Sequence, residues 1–149
     1  MKITISLNRN HGEYGFEIKD ELKHSIQTDI STNNGGNDSG FRPMQLLLAA
    51  LGSCSAIDVI SILKKQRQTI DKFRIEVTGE REKDATLSLW KEVSVTFFLS
   101  GVIDVEKAIK AADLSIEKYC SVAETLRRAG TNITWKTKII ESDEAGTAE

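Results

Sequence analysis

The stretch Pro43-Met-Gln-Leu-Leu-Leu-Ala-Ala-Leu-Gly-Ser-Cys54-Ser-Ala-Ile-Asp-Val-Ile-Ser-Ile-Leu63 sets the fold. Proline fits the first turn of a helix, where its missing amide donor is not needed, and the pattern then stays helical to about Gln66, roughly six turns. Its first half is apolar on nearly every side, as in a helix surrounded by protein, whereas Lys64, Lys65, Gln66 and Arg67 mark an exposed end. A helix so enclosed, in a chain of 149 residues, predicts a partner subunit.

Upstream of this helix, Ile3, Ile5 and Leu7 share one phase, Tyr14, Phe16 and Ile18 another, and Ile26, Thr28 and Ile30 a third, each with period two. Three short strands are expected, the first two joined around Asn10-His-Gly12. The segment from Ser31 to Gly40 is dense in Asn, Gly, Asp and Ser, which favour turns and positive φ, and reads as an exposed, mobile loop. Downstream, Phe73, Ile75 and Val77 alternate, as do Val93, Val95, Phe97 and Leu99, the pattern of antiparallel strands covered on one face, with the turn near Lys83-Asp84. Asp104 is placed to cap a helix at Val105, Ser115 to cap another, and Gly130 to stop the last before a strand through Ile133, Trp135, Thr137 and Ile139. The expected class is α+β in the order βββ-α-ββ-αα-β. Residues 1–140 form one domain in this reading, and Glu141 to Glu149 a frayed acidic tail.

Composition narrows the function. Length, one proline and a net charge of −2 fit an ordinary globular protein. Lysine and arginine are scattered and balanced by acids, giving no stripe to neutralise phosphates, so nucleic acid is not an expected partner. The amino terminus alternates rather than forming the apolar run of an export signal, and Gly52, Ser53, Ser55 and Asp58 interrupt the long helix, arguing against a bilayer span. The cytoplasm is then the expected location. There, the two cysteines are expected to be reduced rather than bridged.

Cys54 lies eleven residues beyond Pro43, about 16 Å along the helix and outside the reach of its terminal dipole. Small neighbours Gly52 and Ala56 would let another group approach the sulfur, and Asp58 lies one turn on along the same face. The alternative is a small buried hydrophobe, the common fate of free cysteine. Cys120 precedes Ser121-Val-Ala-Glu124, which matches a capping box and would put the thiol at a fresh helix start, where the helix field favours a thiolate. The alternative is one unbroken helix from Ile116 to Ala129 with Cys120 inside it.

The segment Pro43 to Ala56 with Cys54, the run Val77-Thr-Gly-Glu-Arg81, and Asp113-Leu-Ser-Ile-Glu-Lys-Tyr-Cys120-Ser-Val-Ala together resemble the OsmC/Ohr family of osmotically inducible and organic-hydroperoxide-resistance proteins, and are most similar to its YhfA-like branch. The resemblance covers roughly Ile26 to Ile140. It implies an α+β fold assembled as an intertwined homodimer with long central helices back to back, and a stress-response thiol peroxidase acting on organic hydroperoxides. It further implies Cys54 as the peroxidatic and Cys120 as the resolving cysteine, a cellular dithiol as reductant, and no metal, flavin or haem. In the peroxidase branches a glutamate ten residues before the reactive cysteine and an amino-terminal arginine flank the thiolate. Here Met44 stands in the glutamate's place, and Asp29 falls roughly where the arginine would. Gln45 offers a hydrogen bond and Arg42 a positive charge, whereas Asp29 near the sulfur would raise the thiol pKa by like-charge repulsion. Weaker peroxidase activity, or a different thiol reaction, is the expectation. The competing function is a non-catalytic protein that binds a small hydrophobic ligand in the dimer cleft.

Other constellations carry less. His11 and His24 lack close ligand spacing with each other or with the cysteines, so a four-ligand zinc site is not expected. Gly35-Gly36 reads as a turn rather than a phosphate loop. Ser53 and Ser55 have no histidine and acid at recognisable spacing and read as solvent- or backbone-bonded helix serines, and Trp90 and Trp135 as sheet-face packing.

Overall fold

The computed structural model describes residues 2–83 and 85–141. The turn expected at Lys83-Asp84 therefore falls partly, and the acidic tail beyond 141 wholly, outside the described residues. The chain forms two compact units, one ending at Leu47 and the other starting at Leu48.

The first unit is an antiparallel sheet of β1 (Ser6–His11), β2 (Gly15–Lys19) and β3 (Ser25–Thr28), in that order. β1 starts at Ser6 rather than Ile3 because its partner β2 ends opposite it, Ser6 facing Lys19. The β1–β2 turn falls over residues 12–14, later than expected, with Gly12 at φ +61° supplying the left-handed residue. β3 stops at Thr28 because Asp29 leaves the sheet: its amide donates to Phe41 O at 3.1 Å and its side chain organises the following loop. The Asp29 carboxylate accepts from the amides of Ile30 (2.8 Å), Asn37 (3.0 Å) and Ser39 (3.1 Å) and from Ser39 Oγ (2.8 Å). Residues 31–40 are mostly exposed, as read from the sequence, but they are tied to one buried acid.

Helix α1 (Pro43–Lys65) follows the quoted stretch closely. Gln45 closes its start, its Oε1 accepting from the Arg42 amide at 2.9 Å, the back-reaching half of a capping box. The second unit holds β4 (Thr69–Arg81), β5 (Trp90–Val102), α2 (Val105–Leu114), α3 (Ser121–Arg128) and β6 (Asn132–Ile139). β4 runs antiparallel to β5, and β6 parallel to it, so that Val95 faces Val77 on one side and Trp135 on the other. A parallel partner requires a crossover, which α2 and α3 provide. Val93, Val95, Phe97 and Leu99, the alternating set on β5, are buried in the core, while Asp104 caps α2 by accepting from the Lys107 amide at 3.0 Å. Gly130, at φ +95°, ends the region of α3 as a left-handed residue. Trp90 is buried, and Trp135 donates to Asp113 Oδ1 at 2.8 Å.

Within the single chain α1 is covered on one side, and one expectation for it changes. The chain buries only one stripe of it, Leu51, Gly52, Ser55, Val59 and Leu63, while Ile57 is 66% exposed. A Cβ at Gly52 would sit 3.2 Å from Val77 Cγ2, so this glycine serves the close approach of helix to β4. In addition, its 23 residues, with a mean hydropathy of 2.1 over eighteen of them, are long and apolar enough to cross a membrane by those two measures. The polar interruptions thus do not exclude a span by themselves. The helix is apolar around most of its circumference, and one sheet can cover only one face of it.

Candidate active site

The site is assembled from α1 and from the break between α2 and α3. On α1, Cys54 and Asp58 are four residues apart and therefore share a face, both half-buried, beside fully buried Ser55. Opposite them, α2 passes into a single π turn, Ser115–Tyr119. Ser115, expected as a helix cap, instead has helical geometry (φ −61°, ψ −60°) and is fully buried. Cys120 then turns extended (φ −73°, ψ 101°) and caps α3 itself, its Sγ accepting from the Ala123 amide at 3.4 Å. The unbroken-helix alternative is thus excluded. The cap is the cysteine and not Ser121, and Glu124 pairs with Arg127 and Arg128 rather than closing a capping box.

This geometry gathers Cys54 Sγ, Cys120 Sγ and an Asp58 carboxylate oxygen within 4.8 Å of one another. Both cysteines are free thiols; Cys54 is partly accessible and Cys120 is 3% exposed. Two serines brace the cluster. Ser55 Oγ donates to Cys120 Sγ at 3.4 Å, and the Ser115 hydroxyl lies 3.1 Å from Asp58 Oδ2 and 3.3 Å from Ser55 O, a donor shared between the two. Ser55 thus departs from the solvent- or backbone-bonded expectation, which Ser53 meets by donating to Ala50 O at 3.2 Å. Helix-interior serine is uninformative in sequence. What separates these two is one residue of phase, which turns Ser55 inward.

Burial, foremost, pushes the Cys54 thiol above its ordinary value; the hydrogen bond to Cys120, the charge of Cys120 and the charge of Asp58 act in the same direction, against a lowering contact from the Val122 amide. The neutral thiol is therefore favoured at pH 7. The acid beside the sulfur is Asp58. Asp29, expected to play that part, has its carboxylate engaged in the loop of the first unit, where burial would raise it but the four donors outweigh burial and hold its pKa at about 2. Arg42 and Gln45 are likewise engaged locally, Arg42 in an ion pair with Asp38 and a 3.2 Å bond to Gly40 O, Gln45 in closing the helix start. His24 pairs with Asp20 at 2.7 Å and His11 ends β1. A cavity of about 600 Å³, lined by Ile62, Leu114 and Tyr119 together with Lys65, reaches Asp58.

A long helix carrying one thiol, set against a second thiol that caps a shorter helix, on an α+β frame, defines a class of small paired-cysteine proteins. The chain belongs to the OsmC-like protein family, whose family model matches residues 35–136 and so includes both cysteines. It is 38% identical over 112 residues to protein YhfA of Escherichia coli (strain K12), covering 74% of this chain and 82% of that protein. The crystal structure of a hypothetical protein from Aquifex aeolicus VF5 matches it with a TM-score of 0.77 and 30% identity over 95% of this chain and 99% of that one. The organic hydroperoxide resistance protein OhrB of Bacillus subtilis matches with a TM-score of 0.59 and 19% identity over 94% of this chain and 98% of that one, a likeness of fold.

Proposed function

We propose that this protein is a thiol-dependent peroxidase that reduces organic hydroperoxides, with Cys54 as the peroxidatic and Cys120 as the resolving cysteine. The observation that carries the reading is the pairing of a partly accessible thiol with a buried one, within 4.8 Å. The minor fraction of Cys54 that ionises, its proton passing to water, attacks the distal peroxide oxygen; the O–O bond breaks, and the alkoxide leaves and takes a proton to become an alcohol. The Cys54 sulfenic acid is then attacked by Cys120 sulfur, which expels the hydroxyl as water and closes a disulfide. A cellular dithiol reduces the disulfide and restores both thiols. Atoms and electrons balance with sulfur alone. The names of structural relatives such as OhrB, and membership of the family, support the substrate class.

The working unit in this proposal is a homodimer in a reducing cytoplasm. The apolar surface of α1 left bare by the single chain, Ile57 above all, supports a second copy covering it. The test is steady-state consumption of cumene hydroperoxide with a dithiol reductant. The wild-type protein is expected to turn over and Cys54→Ser to lose activity by at least about a hundredfold, while Cys120→Ser, pre-reduced and freed of reductant, consumes one equivalent and stops as a sulfenic acid. Equal activity in wild type and Cys54→Ser contradicts the assignment.

One observation favours a second reading. The raised Cys54 thiol, together with a cavity at Asp58 whose lining includes Ile62, Leu114 and Tyr119 beside the polar Ser61, Lys65 and Gln66, also suits a protein that binds a small amphipathic or hydrophobic ligand without chemistry. Native mass spectrometry separates the two: a co-purified apolar molecule with no dithiol-dependent turnover supports binding.

A further inference from the structure

We propose that the reduced protein binds one zinc ion, with Cys54 Sγ, Cys120 Sγ and an Asp58 carboxylate oxygen as ligands and water in the fourth position. Two thiols and a carboxylate within 4.8 Å are a donor set that suits a thiophilic divalent cation. Tetrahedral zinc with bonds of about 2.3 Å to sulfur and 2.1 Å to oxygen places its ligand atoms about 3.6–3.8 Å apart, so closure takes about an ångström of side-chain movement.

The surroundings are those of ligands already oriented. Ser115 engages Asp58 Oδ2 and so holds the carboxylate in place beside the two sulfurs. The Ala123 amide bonds Cys120 Sγ at 3.4 Å, and the Val122 amide acts on Cys54, so two backbone donors at the start of α3 support the two sulfurs once they are deprotonated. The cavity that reaches Asp58 gives a water ligand a route from solvent, and Lys65 on its wall brings positive charge toward a site that is −1 overall once zinc has displaced two protons. The balance is Zn²⁺ plus two thiols, a carboxylate and water, giving the four-coordinate complex and two H⁺. Affinity accordingly rises with pH. The inference rests on the reduced geometry and not on the peroxidase reading, so either can fail without the other.

The experiment titrates the reduced full-length protein with Zn²⁺ against a chromophoric chelator, and with Co²⁺ as a spectroscopic probe. Expected are one equivalent per chain, release of two protons, and a near-ultraviolet sulfur-to-cobalt charge-transfer band of two-thiolate intensity. Cys54→Ser and Cys120→Ser each lose at least about a hundredfold in affinity, and Asp58→Asn about tenfold. Where a variant does not fold, protection of both wild-type thiols from iodoacetamide by one equivalent of Zn²⁺ serves the same end. No binding, binding without the charge-transfer band, or unchanged affinity in either cysteine variant overturns the proposal.

Discussion

Each of the two units holds an aspartate away from open solvent, and the two are treated in opposite ways. Asp29, 1% exposed, collects three amides and a hydroxyl and becomes the anchor of an exposed loop. Asp58, half-buried, has one shared hydroxyl from Ser115 and stands beside two thiols. Burial penalises a carboxylate in either place; the number of donors decides whether that charge is spent on structure or left to act on its neighbours. At Asp29 the donors win. At Asp58 the charge is left to add a small push to what burial and Cys120 already do in raising the Cys54 thiol.

The contrast can be broken by removing either charge. Asp58→Asn takes away a like charge from Cys54, so the thiolate fraction at neutral pH rises and hydroperoxide consumption at pH 7 increases about threefold. In the wild-type protein the rate climbs with pH through the raised Cys54 pKa; in the variant that climb starts at lower pH. A pH–rate profile identical in the two proteins breaks the comparison on the Asp58 side. Asp29→Ala has its effect on structure alone: the amides of Ile30, Asn37 and Ser39 lose their acceptor, and their hydrogen exchange speeds up by at least about tenfold while turnover at saturating substrate stays within about twofold. Because the Asp29 pKa is depressed to about 2, its contribution is present at neutral pH and is lost as pH falls below about 4 toward 2. Exchange at those three amides, normalised to intrinsic rates and measured from pH 7 down to pH 3, checks the sign.

Local signals carried most of the fold. Pro43, the alternation along β5, the Asp104 cap and the Gly130 stop are written in single residues or period-two patterns, and the structure follows them. The ends of β1 and β3 were illegible because they depend on where a partner strand stops and where Asp29 leaves the sheet. The site was half legible. Spacing put Asp58 beside Cys54, and a helix start was one of two readings of Cys120. The π turn that buries Ser115 and converts Cys120 into the cap is a tertiary outcome, held by contacts with α1 sixty residues earlier, such as Ser115 Oγ to Ser55 O. The local pattern around Ser55 and Ser115 points to a backbone-bonded serine and a helix cap instead, and Asp29 reads as a neighbour of the thiol only through its place in the family resemblance, since chain position does not say which donors a carboxylate finds.

The proposed chemistry requires the two sulfurs to meet. Reduced protein treated with one equivalent of an organic hydroperoxide, digested and analysed by mass spectrometry without reduction, is expected to yield a single cross-linked peptide pair joining Cys54 to Cys120 in near-stoichiometric amount. Two unmodified thiols after excess hydroperoxide, or Cys54 driven to sulfinic acid with Cys120 untouched, would contradict it.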